Sequence, residues 1–215
     1  MSERYGTSRL TARRALQVLI AEGLVESSRG VGVFVRRTGP IRRVASEPIL
    51  RRYRKTGVTA LAMEAEQHDR AWRRELLHLG EVPAPAPVAA RLGVDEGVPV
   101  FVRQRRLWVN ETPMQYADSY FLPETVAGTP INRQDCGPGG VYAALEDRGI
   151  RLTRFTEELS MRMPTPDEAR DLQLRPGVPV ADLIRVAYSG DQPVEVFVGL
   201  MGGDRHVFVY EFWVD

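Results

Sequence analysis

The sequence predicts an α+β protein made of two unlike parts, a short basic head and a larger strand-rich body. Residues 1–55 hold 13 Arg or Lys against 4 Asp or Glu, whereas the rest of the chain holds 16 against 24. The head shows helical spacing of apolar residues followed by two strand-like runs. The body contains seven runs rich in β-branched and aromatic residues, with shorter helical runs between them. This charge asymmetry favours a polyanion such as DNA or RNA as the partner of the head.

The head opens with an amphipathic helix between Leu10 and Leu24. Its apolar residues recur at spacings of three and four and form one stripe: Ala12, Ala15, Leu16, Leu19 and Ile20. Arg9, Arg13 and Gln17 fall four apart on another face. A basic face of this kind is typical of a helix that enters the DNA major groove, and it also occurs on solvated helices.

A β-hairpin follows the helix. Ser8 is placed to cap the start of the helix, and Gly23 is placed to end it. The runs LVESS and VFVRR suit two short strands, and the glycines of RGVG between them allow a tight reversal with Arg29 at its tip.

Together the helix and the hairpin have the geometry of a winged DNA reader. Arg9 could donate to guanine, and Ser8 or Thr11 could bond to a base or a phosphate. Arg29 could reach along the backbone or into the minor groove. The alternative is a solvated helix packed on a hairpin, with arginines that serve solubility.

The stretch YGTSRLTARRALQVLIAEGLVESSRGVGVFV resembles the second half of the winged helix-turn-helix domain of GntR-type bacterial transcription regulators. The resemblance implies a partial winged helix-turn-helix in residues 1–37. It assigns DNA contacts to Ser8, Arg9, Thr11 and Arg13 on the recognition helix and to Arg29 and Gly30 on the wing. In that family a further helix precedes the supporting helix, and Met1 falls inside the latter. We therefore expect the natural start to lie upstream of Met1; the alternative is a head that folds poorly.

An arginine-rich connector follows the head. Residues 38–46 are expected to form a linker because the segment around them holds few large apolar residues, and the body is expected to span residues 47–215. The arginines of this segment could continue phosphate contacts, which add salt-dependent affinity without sequence preference. They could equally form an ordinary solvated charge run.

The body is predicted to be an antiparallel sheet with helices. Its strand-like runs are RELLHLGEV, VPVFVRQRRLWVN, TPMQYADSYFLP, IRLTRFTEELSMRMP, VPVADLIRVAYSG, QPVEVFVGLMGG and RHVFVYEFWVD. Its helical runs are APVAARLG, GGVYAALEDRG and TPDEARDLQL, and VNETP and SGDQP predict hairpin turns. The order helix, GVPV, strand, turn with Pro and strand occurs twice, which predicts a duplicated unit with a ligand cleft between its copies.

The stretch from about Ala45 to Asp215 resembles the UTRA effector domain of HutC-type GntR regulators, which shares the chorismate-lyase fold. Its landmarks are LGVDEGVPVFVRQRRL, SYFLPE, GVPVADLIRVAY and QPVEVF followed by GDR. The resemblance implies a DNA-binding transcriptional regulator, expected to be a repressor, whose body binds a small polar or anionic metabolite that modulates operator binding. It places effector contacts at Arg103, Arg105, Ser119 or Tyr120, Thr156, Glu158, Glu195 and Arg205.

The chemistry of these residues suits an anion. Arg103 and Arg105 are two residues apart and so share a strand face, and paired guanidinium groups suit a carboxylate or a phosphate. Glu195 could accept from a sugar hydroxyl or an amine. Alternatively, Arg103 and Glu195 could simply neutralise each other. The run MQYADSY lacks a Glu that sugar-phosphate sensors of this family often carry, which argues against an amino-sugar phosphate.

Catalysis is the rival class, because the body's predicted fold is shared with a lyase. His68, His78 and His206 lie in dissimilar contexts, and none is near a candidate nucleophile. Glu157 and Glu158 are adjacent on a predicted strand and so face opposite ways. We therefore expect no enzyme, no catalytic residue, no metal and no cofactor. A chorismate-lyase-like enzyme and a stand-alone effector-binding or dimerisation module that no longer binds DNA remain as alternatives.

The expected partners are double-stranded operator DNA, a small-molecule effector and a second copy of the chain, because helix-turn-helix readers usually bind twofold half-sites. The C-terminal run VFVYEFWVD could contribute to the dimer. Cys136 is the single cysteine, so no internal disulfide is expected. The absence of an apolar leader or a membrane-length apolar run predicts a cytoplasmic protein with no membrane partner.

Overall fold

The computed structural model describes residues 5–22, 24–28, 30–35, 40–44, 61, 65–66, 69–137 and 139–212. The chain divides into two compact units, Met1–Pro40 and Ile41–Asp215. Gly23, Arg29 and residues 38, 39, 45 and 46 of the expected linker lie outside the described residues.

The first unit contains helix α1, Arg9–Ala21. Ser8 caps this helix, as its sequence position predicted: the Ser8 side chain accepts a hydrogen bond of 3.1 Å from the Thr11 amide. The apolar stripe is only half-buried at Leu16, Leu19 and Ile20.

A hairpin follows α1. Strand β1, Val25–Ser28, pairs antiparallel with strand β2, Gly32–Val35. Gly30 has φ +77°, a left-handed conformation that side chains with a Cβ rarely adopt, so this glycine permits the reversal. The helix and the hairpin are the two elements that the sequence of the head predicted.

The second unit is built on a six-stranded antiparallel sheet in the order β4-β5-β6-β9-β8-β7. Its strands are β4 Trp72–Pro83, β5 Pro99–Val109, β6 Thr112–Phe121, β7 Arg154–Arg162, β8 Val180–Ser189 and β9 Gln192–Gly202. A separate parallel pair joins β3, Ile41–Val44, to β10, His206–Val209. The helices are α2 Ala86–Leu92, α3 Pro123–Val126, a 3-10 turn at Pro130–Asn132, α4 Gly140–Asp147 and α5 Pro166–Asp171.

The two predicted hairpin turns are confirmed. Strands β5 and β6 turn at Asn110, with φ 51°, and strands β8 and β9 turn at Gly190, with φ 60°. Helix α2 precedes the first hairpin and helix α5 precedes the second, so the order that the sequence repeats is present in the fold. The two hairpins meet where β6 pairs with β9 in the middle of the sheet.

Each face of the sheet carries its own core. On one side, here called the α4 face, the sheet packs against α3, the 3-10 turn and α4, with a core that includes Phe101, Phe121, Ile131, Tyr142, Leu145 and Ala187. On the other side, the α2 face, it packs against α2, with a core that includes Val88, Leu92, Val100, Val102, Tyr120 and Val196. Alternate residues of each strand therefore enter different cores.

Part of the segment expected to be a linker forms strand β3 instead. Ile41 and Arg43 are buried, whereas Arg42 between them is exposed. This alternation is the pattern of a half-buried strand, and the parallel ladder with β10 satisfies its backbone groups. The difference arises because one large apolar residue, Ile41, is enough to fix a four-residue strand once β10 is available as a partner.

None of the helices in the described part of the chain combines the length and the apolar character that spanning a membrane requires.

Candidate functional site

The head presents exposed arginines. Arg9, Arg13 and Arg14 on α1 are exposed, and none of them forms an ion pair with a described residue. Arg9 and Arg13 are four residues apart and so lie on the same side of the helix. Guanidinium groups held on a helix surface in this way are available to phosphate oxygens or base edges.

The other predicted DNA contacts lie at the start of α1 and at the hairpin tip. The hydroxyl oxygens of Ser8 and Thr11 are 2.8 Å apart and both residues are exposed, so the cap of the helix also presents two hydroxyls to solvent. Gly30 is exposed at the tip of the hairpin. Arg29, the predicted wing arginine, lies outside the described residues.

The structure separates the eight predicted effector residues into three places. Arg103, Arg105, Ser119 and Glu195 share the α4 face, since Arg103 pairs with Ser119 and Ser119 pairs with Phe197, two residues after Glu195. Tyr120, Thr156 and Glu158 lie on the α2 face, and Arg205 lies in the turn after β9. Only the first group is brought together.

Arg105 and Ser119 form one side of the site on the α4 face. The Arg105 Nη2 donates to Ser119 Oγ at 2.6 Å, and its Nε donates to the Ala117 carbonyl at 2.9 Å. The remaining nitrogen, Nη1, donates to no described residue. Burial lowers the pKa of Arg105, and the negative charge of Glu195 opposes that shift. A cationic donor is therefore held in place with one nitrogen available to a ligand.

Glu195 and Tyr142 form the other side. Glu195 is 1% exposed, and its Oε2 has no hydrogen-bond partner among the described residues. Tyr142 of α4 packs against this face; burial first of all, and then the negative charge of Glu195, raise the pKa of its phenol, so it stays protonated. A buried carboxylate oxygen without a partner is costly. This oxygen is therefore suited to accept from a hydroxyl or an amine of a bound molecule.

Arg103 has a different role from the one predicted. Its side chain is 0% exposed and donates to the backbone carbonyls of Ile131 and Arg133, and at 3.2 Å to that of Gln134. It makes no ion pair with Glu195, so the two residues do not neutralise each other by direct contact. Arg103 shares a strand face with Arg105; its two terminal nitrogens hold the chain around and after the 3-10 turn, and its buried Nε has no hydrogen-bond partner among the described residues.

The sequence analysis missed a second ionic group on the α4 face. Glu157 Oε1 accepts from Arg43 Nη2 at 2.5 Å and from Arg185 Nε at 2.7 Å. Arg185 Nη1 also reaches the Tyr142 hydroxyl at 3.4 Å. Burial tends to raise the pKa of Glu157, but Arg185 and Arg43 outweigh burial and lower it. The signal for Glu157 and Arg185 was present, since each is a charged residue at an inward position of an alternating strand.

The buried cluster on the α4 face carries an excess of positive charge. Its guanidinium groups belong to Arg43, Arg103, Arg105 and Arg185, and its carboxylates belong to Glu157 and Glu195. Four arginines share the cluster with two glutamates, so basic side chains outnumber acidic ones in it. Cationic groups in a low-dielectric setting attract an anion more strongly than they would in water. The arrangement therefore favours an anionic ligand.

Three predicted effector residues are excluded from this cluster by strand alternation. Glu158 is 62% exposed at its side chain and pairs with Arg91 of α2 at 2.7 Å. Tyr120 packs in the core beneath α2, and Thr156 is half-buried on the same face. These residues stabilise or cover the α2 face and cannot share one small ligand with Glu195.

Arg205 is also placed away from the cluster. It is buried and donates to the carbonyl of Pro113 and, at 2.8 Å, to that of Gln173. These bonds join the start of β6 to the chain after α5. The prediction of a ligand contact at Arg205 therefore gives way to a role in tying two segments together.

The described residues contain no group of three or more His, Cys, Asp or Glu side chains placed to hold a metal ion. His206 is buried, with Nδ1 3.1 Å from the Gly202 carbonyl, and burial lowers its pKa to about 4. This histidine is neutral at physiological pH and belongs to the packing around β10.

Comparison with known proteins matches both units. The model of the UTRA domain matches residues 67–207, and that of the bacterial regulatory proteins of the gntR family matches residues 1–35. An "Uncharacterized HTH-type transcriptional regulator" of Streptomyces coelicolor is 35% identical, over 96% of this chain and 80% of its own. The HTH-type transcriptional repressor NagR of Bacillus subtilis is 26% identical, over 97% and 81%. The crystal structure of PhnF from Mycobacterium smegmatis superposes with a TM-score of 0.67 at 26% identity, covering 100% of this chain and 89% of PhnF.

Proposed function

Because the chain belongs to the gntR family of bacterial regulatory proteins and carries a UTRA domain, we propose that it is a repressor whose operator affinity is controlled by a small anionic metabolite. Its relatives are DNA-binding transcriptional regulators and not enzymes. The lyase alternative is therefore set aside, while repression, the ligand and the dimer belong to this proposal.

The head supports the DNA-binding part of the proposal. Arg9 and Arg13 are exposed on one side of α1, and Ser8 and Thr11 present hydroxyls at its N-terminus. We assign base or phosphate contacts to these four residues, and wing contacts to Arg29 and Gly30. A homodimer would place two such helices on successive half-sites.

The effector part depends on one observation, the buried Glu195 carboxylate with an unpartnered oxygen. Arg105, Ser119 and Tyr142 lie on the same side of the sheet and supply one cationic donor and two hydroxyls. A ligand that fits carries an anionic group for Arg105 and, next to it, a hydroxyl or amine that donates to Glu195. Hydroxy acids, amino acids and sugar phosphates all have this pair of groups.

The effector contacts are therefore proposed at Arg105, Ser119 and Glu195, with Tyr142 added. Arg103 supports them by holding the chain around the 3-10 turn. An anion that neutralises the excess charge would stabilise one arrangement of the body over another, and such a preference is what changes DNA affinity in a ligand-controlled regulator.

The test compares Glu195→Gln with Glu158→Gln, which makes the same change on the opposite face of the sheet. Fluorescence anisotropy with labelled DNA from upstream of the chain's own gene measures binding, with and without a panel of hydroxy acids, amino acids and sugar phosphates. We expect one or more of these compounds to weaken DNA binding by the wild type and by Glu158→Gln. The same compounds should lose most of their effect on Glu195→Gln.

Two results would overturn the proposal. If Glu195→Gln responds like the wild type, the site is elsewhere in the body. If the chain binds no DNA, even when extended at its N-terminus, the stand-alone effector-binding module is the better description.

A further inference from the structure

A series of polar side chains leads from the proposed effector site to strand β3. The charge of Glu195 acts on the Tyr142 phenol, whose hydroxyl lies 3.4 Å from Arg185 Nη1. The Arg185 Nη2 lies 2.6 Å from Glu157 Oε1, and the same oxygen lies 2.5 Å from Arg43 Nη2. All the links join side chains from different elements, so the contacts cross the α4 face from β9 to β3.

Strand β3 is the first element of the body after the division at Pro40. It is held in two ways, by its parallel ladder with β10 and by the side chain of Arg43. Arg42, its neighbour, is exposed and points away from the cluster. The chain that comes from the head is therefore anchored to the body through a buried ion pair.

The anchor is shared. Arg43 and Arg185 both donate to the same oxygen, Glu157 Oε1, while the other oxygen is only 3.3 Å from Arg43 Nη1. Two cations that use one acceptor compete for it. A ligand anion that accepts from Arg185 would withdraw that guanidinium, and Glu157 would then be free to form a symmetrical two-bond pair with Arg43.

We propose that Glu157 couples the effector site to β3: an anion bound beside Arg105 and Arg185 tightens the Arg43–Glu157 pair and fixes β3 against β10. This inference rests on the proposed function, because it uses the same anion site. It adds the route by which occupancy reaches the chain segment that leads to the DNA-binding unit. Ligand binding thereby changes the freedom of the segment that positions each DNA reader.

Hydrogen exchange of the β3 backbone amides tests this route in the full chain, with inorganic phosphate as the anion. The variants are Glu157→Gln and Arg43→Gln, and the matched control is Arg42→Gln on the same strand. Without phosphate, we expect β3 to exchange on the order of tenfold faster in Glu157→Gln and Arg43→Gln than in the wild type, because a buried charge loses its partner. Arg42→Gln should exchange like the wild type.

Phosphate should slow β3 exchange in the wild type and in Arg42→Gln but leave it unchanged in Glu157→Gln. Thermal unfolding of each variant, followed by near-ultraviolet circular dichroism, verifies that it is folded and reports whether phosphate stabilises it.

The coupling is overturned if folded Glu157→Gln and Arg43→Gln exchange β3 at the wild-type rate, or if phosphate slows β3 equally in Glu157→Gln and the wild type. Failure of the anion site has a different signature, because phosphate would then leave the wild-type unfolding temperature unchanged. The ligand-free exchange rates decide the role of Glu157 in that case as well.

Discussion

Arginine is used in opposite ways in the two units of the chain. On α1 the arginines are exposed and make no ion pair with a described residue: Arg9, Arg13 and Arg14. In the described part of the body four arginines are buried and bonded to carbonyls or carboxylates: Arg43, Arg103, Arg185 and Arg205. The same residue type thus provides a solvated cationic surface in one unit and an internal framework in the other.

This difference in burial determines what each group of arginines can bind. An exposed guanidinium is screened by salt and keeps its donors for a large partner, as a polyanion requires. A buried guanidinium has given most of its donors to the protein, and it acts by position and by charge on whatever reaches the same cavity. If this comparison holds, removing a buried arginine lowers stability, and removing an exposed one lowers DNA affinity alone.

Arg103→Met should give the largest effect. The substitution leaves the buried carbonyl of Ile131 and the part-buried carbonyls of Arg133 and Gln134 without their donor. We expect the free energy of unfolding in urea to fall by about 3 kcal/mol, since an orphaned buried acceptor costs about 1–3 kcal/mol and the two part-buried acceptors add to it.

The control for this change is Arg74→Met on the neighbouring strand β4. Arg74 is partly exposed, and its one ion pair, 3.9 Å to the exposed Asp135, is long. Its loss should change the unfolding free energy by no more than about 0.5 kcal/mol. Equal effects of the two substitutions would remove the distinction between framework and surface arginines.

The sequence predicted the elements of the fold better than the use of its side chains. Alternation and turn residues located β5 and β6, and the repeated order of elements predicted two similar units. The repeat did not predict that β6 of one hairpin pairs with β9 of the other. The same alternation predicted that Glu157 and Glu158 face opposite sides of the sheet, but it did not predict which of them is buried. Glu157 is the buried one because it pairs with Arg43 of β3. The sequence predicted a linker in place of β3, because a four-residue strand has too few apolar residues to be recognised by pattern.

The facing directions of the candidate site residues could be predicted for a similar reason, but their partners could not. Two residues on one strand share a face, so Arg103 and Arg105 were correctly placed together. The sequence could not show that the 3-10 turn brings three carbonyls over Arg103 and none over Arg105. A side chain's partners come from elements distant in sequence, whereas its facing direction is set by its own strand.

Arg9→Ala addresses the exposed arginines and should have the next largest effect. It should weaken binding to the operator by about 1–3 kcal/mol and relax the base preference at one position. The urea unfolding curve should stay within about 0.5 kcal/mol of the wild type, because Arg9 makes no ion pair with a described residue. Titration of labelled DNA and footprinting measure the two binding effects.

Arg14→Ala is the matched control, since Arg14 is exposed on the same helix but five residues further along and on a different side. It should reduce affinity less and leave the footprint unchanged. A wild-type footprint for Arg9→Ala would show that this arginine does not read a base.

The ion pair of Arg162 with Glu168 lies between the buried and the fully exposed arginines in its exposure to solvent. Removing its charge should change stability less than the substitutions above change stability or DNA affinity. Arg162 Nη1 donates to Glu168 at 2.7 Å although the Arg162 side chain is 40% exposed. Glu168 also accepts from the Thr165 amide at the start of α5. The hydrogen bond from Arg162 is the main reason that the pKa of Glu168 falls from its ordinary value of 4.5 to about 2, and the Thr165 amide adds to this effect.

Because the folded pKa lies below the unfolded one, the stability from Glu168 is fully present above pH 4.5 and is lost as pH falls toward 2. Solvent screening of the exposed partner limits it to about 1 kcal/mol. Urea unfolding at about pH 6 should therefore show Glu168→Gln less stable than the wild type by about that amount, and the gap should narrow below pH 4.5 and close as pH approaches 2. Glu124→Gln, a change at an exposed carboxylate without an ion pair to a described residue, should show no such gap. A gap for Glu168→Gln that persists at low pH would assign the effect to packing of the side chain instead of its charge.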